Sequence, residues 1–463
     1  PPITGPLDVD AHHALAREVA GRSIVLLRNE GALLPLRPEQ KVAVVGAFAR
    51  TPRYQGAGSS LINPTRLDTA WEAIADAATG EAVYAAGFTL DGSGNPAALR
   101  EEAVAAASAA DVVVAFLGLP ATAESEGYDR DDLELPAAQL ALLDALVAAN
   151  PNTVVVLSNG GVVTLPFHDR VPAILEGWLL GQAGGSATAD VLYGAVNPSG
   201  KLTETIPLRL EDTPAYGNFP GSFGHVRYGE GIFVGYRWYD ARGMQVAYPF
   251  GHGLSYTTFA YGQAAAAVQA SGDIVVTVPV TNTGGVTGRE VVQVYVSPVR
   301  SAVERAPREL KAFASVELQP GQTRSVELTV RRADLAYWDV RVDRWVVEGG
   351  DYAVEAAASS RDIRSAAVVP VDGDAVDLPL TMESSIGDLM ADPVAGPIVQ
   401  QAIASLMGGL GGDAAGASMM ASDEGMQKMM ASFPVGRLAG FGALPVSFEQ
   451  IEGLIAMANA ARG

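Results

Sequence analysis

The sequence predicts an α/β three-layer sandwich with a mainly parallel sheet, followed by a β-sandwich and then by a helical tail. Up to about residue 211, continuous apolar strands alternate with helix-period segments, which is typical of a parallel sheet covered on both faces. From residue 259 to about residue 375, apolar and polar residues alternate and helical periodicity is missing. Beyond residue 376 helical spacing returns, in a segment that holds most of the ten methionines.

We expect residues 1–40 to be a lead-in with one helix and one short strand, over residues 11–23 and 24–27. The first domain then spans residues 41–211. Its expected strands cover residues 42–46, 82–85, 111–119, 153–157 and 173–178, and its helices residues 67–78, 97–110, 137–149 and 186–193. After the last helix, residues 202–206 are expected to add an edge strand to the sheet.

Residues 212–258 are rich in glycine and aromatic residues and lack periodicity, which predicts an ordered connector. Residues 259–375 predict an immunoglobulin-like sandwich of about seven short strands, separated by turns rich in Asn, Gly and Pro. The clearest strands cover residues 273–281, 290–296, 324–330 and 351–356.

The tail, residues 376–463, is expected to be helical, with Ser384, Ser385 and Ser447 as helix N-caps and a flexible middle over residues 408–416. Three methionines at helical spacing predict packing rather than a cofactor site; they are Met419, Met426 and Met430.

Composition excludes several classes of function. The net charge of −21 disfavours nucleic acid and anionic membrane surfaces as partners. The absence of cysteine removes disulfides and thiolate chemistry. Five histidines show no ligand spacing, so no metal site is predicted. The sequence leaves the compartment open, with the cytoplasm slightly favoured.

The most informative stretch is an acidic loop, residues 118–136, which follows a predicted buried strand. It holds six carboxylates and one base; they are Glu124, Glu126, Asp129, Asp131, Asp132, Glu134 and Arg130. Ligands of α/β sheets usually bind at the carboxyl ends of strands, where a glutamate among other carboxylates can deliver a proton. A solvated loop with salt bridges and a helix cap explains the same residues.

Two glycine-rich loops also follow strands. Residues 53–60 contain Gly-x-Gly, but Leu61 stands where a dinucleotide fingerprint needs its third glycine, so no nucleotide cofactor is expected. This loop is able to offer backbone N–H and hydroxyl groups to a neutral polar ligand. Residues 181–186 lack the lysine of a phosphate-binding loop, and a tight turn with close helix packing explains their glycines.

These motifs, taken in order, resemble glycoside hydrolase family 3, the β-glucosidase-like group. The matching segments are residues 16–36, Gly56-Ala-Gly-Ser-Ser60, Glu126-Gly-Tyr-Asp-Arg130, Leu133-Glu-Leu-Pro136 with Gln139, Ser158-Asn-Gly-Gly161, and residues 178–182, 197–202, 228–240 and 250–256. The resemblance implies that the second domain is the family's fibronectin-type-III-like domain. It also implies hydrolysis of terminal β-linked sugars with retention, with an oligosaccharide or an aryl β-glycoside as substrate.

The resemblance assigns Glu126 as the general acid/base, with Glu124 as runner-up because spacing does not separate the two. It implies a nucleophilic aspartate on a TIM barrel, which the chain lacks and a further segment or chain would bring. Without that barrel we expect an inactive chain whose Glu126 is exposed, with a nearly ordinary pKa. Contributors to substrate binding at the rim are predicted to be Arg53, Gln55, Ser59, Ser60 and Tyr128.

A competing hypothesis is a non-catalytic carbohydrate-binding or scaffold fragment. The presence or absence of a barrel partner separates the two readings. A homodimer is compatible with either.

Overall fold

The structure is a computed structural model, and it describes residue 5 and residues 7–401, 424–440 and 447–460. The chain divides into two compact units. The first contains residues 1–337 and 347–373, and the second contains residues 338–346 and 374–463.

The first unit is built on a six-stranded sheet with the order β1-β6-β5-β4-β2-β3. Its strands are β1 (Val25–Asn29), β2 (Val42–Val45), β3 (Ala82–Ala85), β4 (Val112–Gly118), β5 (Thr153–Ser158) and β6 (Ala173–Glu176). All neighbours pair in parallel except β1, which runs antiparallel to β6 at one edge. The mainly parallel sheet is therefore confirmed. Every residue of β2 and β4 is buried, as expected of central strands covered on both faces.

Five helices cover this sheet: α1 (Val9–Ser23), α2 (Ala70–Ala77), α3 (Pro96–Ser108), α4 (Ala137–Ala149) and α5 (Gly184–Leu192). Helix α5 packs against α1 and α2, and α3 packs against α4, so the helices form two groups around the sheet. Local sequence sets their starts. The Thr69 hydroxyl accepts the backbone N–H of Glu72 at the start of α2, and Asn95 caps α3 ahead of Pro96.

The expected edge strand over residues 202–206 is wrong. Ile206 and Pro207 form a two-residue strand, β7 (Ile206–Pro207), that pairs with β8 (Val246–Tyr248) outside the main sheet. The outer edge of β1 is bridged instead by Leu254, whose N–H donates to the carbonyl of Leu26. Leu254, from the connector, therefore contacts the outer edge of β1 through this isolated bridge.

The connector contains more regular structure than its composition predicts. Besides β8 it holds a short helix, α6 (Tyr236–Ala241). The ring of Tyr236 stacks on Phe250, with centroids 4.6 Å apart, and meets the edge of Tyr295 from the β-sandwich. Aromatic packing therefore joins the connector to the domain that follows it.

The strands that follow are β9 (Phe259–Tyr261), β10 (Ala265–Val268), β11 (Ile274–Asn282), β12 (Gly288–Pro298), β13 (Glu309–Leu318), β14 (Thr323–Val330), β15 (Tyr337–Asp339), β16 (Arg344–Val346), β17 (Gly350–Ser359) and β18 (Asp362–Val371). One antiparallel sheet contains β10-β11-β14 with β9 beside β11, and the other has the order β13-β12-β17-β18. Alternate valines of β11 and β12 fill the shared core. The predicted β-sandwich is confirmed.

The strands that are clearest from the sequence do not include β13 and β18. Both lie at the edges of their sheet, and both bury side chains regularly only near their ends. Since alternation arises from one face covering a core, a strand that covers the core over half its length gives half the signal.

The second unit has its own apolar cluster, formed by Leu380, Leu389, Ala395, Val435, Ile451, Ile455 and Ala458. Its helices include α7 (Ile386–Ala391), Glu424–Ala431 and Phe448–Ala460. Two predicted N-caps are confirmed: Ser385 forms a capping box with Asp388, and the Ser447 hydroxyl accepts the backbone N–H of Gln450. Ser384 is not an N-cap, because its hydroxyl accepts the N–H of Thr381.

Some predictions for the tail concern residues without a description. Residues 408–416 and Met419 lie outside the described residues, as do the side chains of Met426 and Met430.

Candidate active site

The acidic loop leaves the carboxyl end of β4 and is fixed at both ends. At its start, Gln139 of α4 accepts the N–H of Gly118 and donates to its carbonyl, each at 2.9 Å. At its end, Leu135 is buried, and the carbonyl of Leu133 accepts the N–H of Thr164 at 2.7 Å. The buried amide of Gln139 replaces the hydrogen bonds that Gly118 loses where β4 ends. The residues between these anchors extend beyond the carboxyl end of β4.

Glu124 points inward, into its own domain. Its Oε2 accepts the backbone N–H of Gly160 and its Oε1 accepts that of Gly161, both at 2.7 Å. Its side chain is 14 % exposed. Each carboxylate oxygen is therefore bound by a backbone donor of the loop that follows β5.

Two guanidinium groups flank this carboxylate. Nη2 of Arg53 lies 3.7 Å from Oε2 of Glu124, and Nη1 of Arg130 lies 3.6 Å from Oε1. Arg53 also donates to the carbonyls of Leu119 and Glu124, and Arg130 donates to that of Val162. Burial lowers the pKa of Arg53, although the charge of Glu124 opposes that shift. The predicted rim contributor Arg53 is thus 7 % exposed and bonded to backbone oxygens.

Glu126 lies at the exposed tip of the same loop. The backbone N–H of Ser59 donates to Oε2 of its carboxylate at 2.7 Å. This contact requires Gly58, since a Cβ there would lie 2.7 Å from Cβ of Glu126. Gly127, which follows Glu126, has a φ of +95°, and this conformation lets the chain reverse at the tip of the loop.

The expected exposure of Glu126 is confirmed, and its expected nearly ordinary pKa is wrong. The hydrogen bonds from Ser59 stabilise the charged carboxylate and hold the pKa of Glu126 below its usual range. Local spacing does not reveal this donor, because Ser59 lies in the loop after a different strand.

The remaining predicted rim residues brace their own loops. The Gln55 amide donates to the Tyr54 hydroxyl and to the carbonyl of Ile62, and it accepts the N–H of Ile62. The Ser60 hydroxyl donates to the carbonyl of Ala57. The Tyr128 hydroxyl donates to the carbonyl of Thr122, and about half of Tyr128 is exposed.

Sequence reasoning missed an apolar rim and a cavity near these loops. Residues 53–60 form the donor loop, named for the Ser59 N–H that donates to Glu126. Beside it, Leu61 and Ile62 are both more than 60 % exposed. A cavity of about 620 Å³ lies between the donor loop, residues 90–91 and the start of the acidic loop. Its lining includes Phe48, Pro52, Arg53, Gln55, Leu61, Leu90, Asp91 and Pro120. In the sequence, the two adjacent apolar residues Leu61 and Ile62, next to a loop at a strand end, were the available signal for this rim.

Glu176, at the end of β6, is fully buried and was not singled out from the sequence. Its Oε1 accepts the N–H of Trp178 at 2.9 Å, and its Oε2 accepts the side-chain amide of Asn159 at 3.3 Å. Burial raises the pKa of Glu176 to about 8, a shift that the charge of Glu124 increases and the two hydrogen bonds oppose. At neutral pH this carboxyl group is therefore protonated, directly beneath the loop that binds Glu124.

The second glycine-rich loop is a packing device, as its tight-turn interpretation predicts. A Cβ on Gly185 would lie 2.4 Å from the carbonyl carbon of Thr69, so only glycine lets α5 approach α2 this closely. The Ser186 hydroxyl donates to Asp68, which also accepts from the ring of the buried His13.

No group of three His, Cys, Asp or Glu side chains among the described residues is arranged to hold a metal ion. Among the helices described, none combines the length and the apolarity needed to cross a membrane.

Comparisons with known proteins place this geometry in a family. Residues 24–256 match the glycosyl hydrolase family 3 C-terminal domain, and residues 290–360 match a fibronectin type III-like domain. An exo-α-(1→6)-L-arabinopyranosidase of Bifidobacterium longum is 48% identical over 402 residues, which cover 85% of this chain and 53% of that protein. The thermostable β-glucosidase B of Acetivibrio thermocellus is 42% identical over 458 residues, covering 98% and 60%.

Solved structures agree. A glycoside hydrolase family 3 β-glucosidase from Bifidobacterium adolescentis has a TM-score of 0.81 and 48% identity, and the match covers 86% of this chain and 59% of that one. A β-glucosidase from Streptomyces venezuelae in complex with D-glucose has a TM-score of 0.76 and 29% identity, covering 80% and 62%. The chain thus spans between half and two thirds of these relatives. On both its domain matches and its fold, the chain belongs to glycoside hydrolase family 3, of which it carries the C-terminal portion.

Proposed function

We propose that this chain is the non-barrel portion of a retaining β-glycosidase and that Glu126 is its general acid/base. The observation that carries the proposal is the exposed carboxylate of Glu126 at a loop tip beyond the carboxyl end of β4. A carboxyl group in that position is free to meet a glycosidic oxygen presented by another body. Glu124 does not fit the role, because both of its oxygens accept backbone N–H groups within the domain.

The nucleophile in this proposal is an aspartate on a TIM barrel outside residues 1–463. Retaining glycosidases hold their two carboxyl groups about 5–5.5 Å apart. The relatives named above extend well beyond the aligned region, which leaves length for such a barrel.

Proton donation then depends on the second body. With the Ser59 hydrogen bond in place, the lowered pKa of Glu126 makes it a poor acid near neutral pH. A negative carboxylate opposite and a sugar that excludes water both raise the pKa of a glutamate. The catalytic proton is therefore available only in the assembled site.

The substrate class follows from stereochemistry shared by the relatives. The names of the relatives pair L-arabinopyranosides of α configuration with β-glucosides. In both sugars the glycosidic bond is equatorial on the preferred chair. We therefore propose terminal glycosides with an equatorial bond to the leaving group as substrates.

The test compares Glu126→Gln with the unchanged complete enzyme. The variant should lose about 10²- to 10⁴-fold in kcat/KM on substrates with poor leaving groups, since it lacks proton transfer. Azide should restore turnover of an activated aryl glycoside and yield a glycosyl azide, because a small anion attacks without a general base. The isolated chain should not turn over aryl β-glucosides.

Two results would contradict the proposal. One is measurable hydrolysis of an aryl β-glucoside by the pure chain, which would place both carboxyl groups within it. The other is full activity of Glu126→Gln together with azide rescue of Glu124→Gln, which would exchange the two roles.

A further inference from the structure

The carboxylate of Glu124 joins three loops of the chain. Through its oxygens it holds the N–H groups of Gly160 and Gly161. Through the flanking guanidinium groups it meets the donor loop at Arg53 and the far arm of its own loop at Arg130. These contacts lie between the loops that follow β2, β4 and β5, whose ends are neighbours in the sheet.

The cluster is largely removed from solvent. The side chains of Arg53, Glu124 and Arg130 are 7 %, 14 % and 18 % exposed. A Cβ on Gly160 would lie 3.1 Å from Oε2 of Glu124, so a side chain there would push against the carboxylate. Buried ion clusters contribute little net stability, yet removing one member leaves uncompensated charge, which makes them effective at fixing one arrangement.

Glu126 lies within the arch that this cluster closes. The arch comprises residues 125–129, and it is bounded by Glu124 on one side and by Arg130 on the other. The two ends are joined by the contact between Oε1 of Glu124 and Nη1 of Arg130. The hydroxyl of Tyr128 ties the arch once more, to the carbonyl of Thr122.

We propose that Glu124 is a positioning residue for the acid/base: it closes the arch and sets where the Glu126 carboxyl group stands, without itself exchanging protons with the substrate. This inference rests on the proposed function of Glu126. In the absence of Glu124, the two buried guanidinium groups lose their shared anion. The Gly160–Gly161 turn also loses its acceptor, and the arch then samples positions in which Glu126 misses the glycosidic oxygen.

The kinetic test uses the dependence on the leaving group. In the complete enzyme, Glu124→Gln should lower kcat/KM at least about 100-fold for an alkyl β-glucoside, which needs protonation of the leaving group, and less than about 10-fold for a dinitrophenyl glucoside, which does not. Azide should not accelerate this variant, because the Glu126 carboxylate remains. A loss of equal size on both substrates indicates a merely structural role and overturns the proposal, and so does azide rescue.

A second measurement uses the present chain alone and does not depend on turnover. Glu124→Gln should increase hydrogen exchange across residues 119–130 and tryptic cleavage after Arg130 at least about 10-fold, with exchange in β4 and β5 unchanged. Glu134→Gln, which removes an exposed carboxylate from the same loop, is the matched control and should leave both readouts as they are.

The two measurements separate the two ideas. Should the complete enzyme prove to have no glycosidase activity, the proposed function fails, while exchange in the arch still judges whether Glu124 orders it. An arch as protected in Glu124→Gln as in the unchanged chain would sink the positioning role, whatever the activity.

Discussion

The buried carboxyl group of Glu176 makes the sharpest thermodynamic prediction. Its pKa stands at about 8 in the folded chain, against the ordinary 4.5. Between these two values the folded state keeps a proton that the unfolded state has lost. Because the folded state binds more protons in this window, the free energy of unfolding must fall as pH rises.

The size of the effect follows from the two pKa values. One bound proton of difference lowers the free energy of unfolding by about 1.4 kcal/mol per pH unit. From pH 4.5 to 8 the loss reaches about 5 kcal/mol, an upper value for a group that the surrounding protein can rehydrate. Below pH 4.5 both states are protonated, and this contribution to stability is fully present.

Glu176→Gln removes the titration and keeps an oxygen for the N–H of Trp178. We expect protection in β5 and β6, measured by hydrogen exchange and corrected for intrinsic rates, to fall with pH in the unchanged chain. In Glu176→Gln that fall should be shallower by about 1.4 kcal/mol per pH unit between pH 5 and 8. The control is Glu101→Gln, on the exposed face of α3, which should leave the slope unaltered. Equal slopes in Glu176→Gln and the unchanged chain would refute the reasoning.

Two further substitutions test the loops. Gly58→Ala puts a side chain at a φ of +80°, which costs about 1–2 kcal/mol. The new Cβ also displaces Glu126 from its contact with Ser59. NMR titration should therefore show the pKa of Glu126 rising toward its ordinary value. Gly92→Ala has a similar φ of +71° in open space and should leave that pKa unchanged, so a shift in both variants would exclude the contact as its cause. Gln139→Leu removes the side-chain amide that binds the N–H and the carbonyl of the buried Gly118. This variant should destabilise the α/β domain by about 2–4 kcal/mol in urea unfolding. A loss below about 0.5 kcal/mol would show that water replaces the amide.

Local sequence patterns were strong where one physical requirement dominated. Strands β2 and β4 are buried on both faces and therefore read as unbroken apolar runs. Strands β13 and β18 escaped notice because an edge strand covers the core over part of its length. Residues 202–206 have a strand-like composition, but Ile206 and Pro207 pair with β8 outside the main sheet.

The candidate site shows the same division. The order of motifs along the chain placed a carboxylate-rich loop at a strand end, and resemblance to a family gave it a role. Spacing and composition did not separate Glu124 from Glu126, which are two residues apart in a loop without periodicity, and the resemblance only ranked Glu126 first. The distinction came from Gly160, Gly161 and Ser59, which belong to loops after other strands.

By itself the sequence determined the succession of layers, the parallel sheet, the β-sandwich and the acidic loop at a strand end, because apolar periodicity and turn residues act over short distances along the chain. Only the tertiary structure decided which glutamate is held inward and which faces outward. It also decided which segment contacts the outer edge of β1, and that Glu176 keeps its proton. Those outcomes depend on donors, charges and burial supplied by segments far apart in sequence, and no local pattern records them.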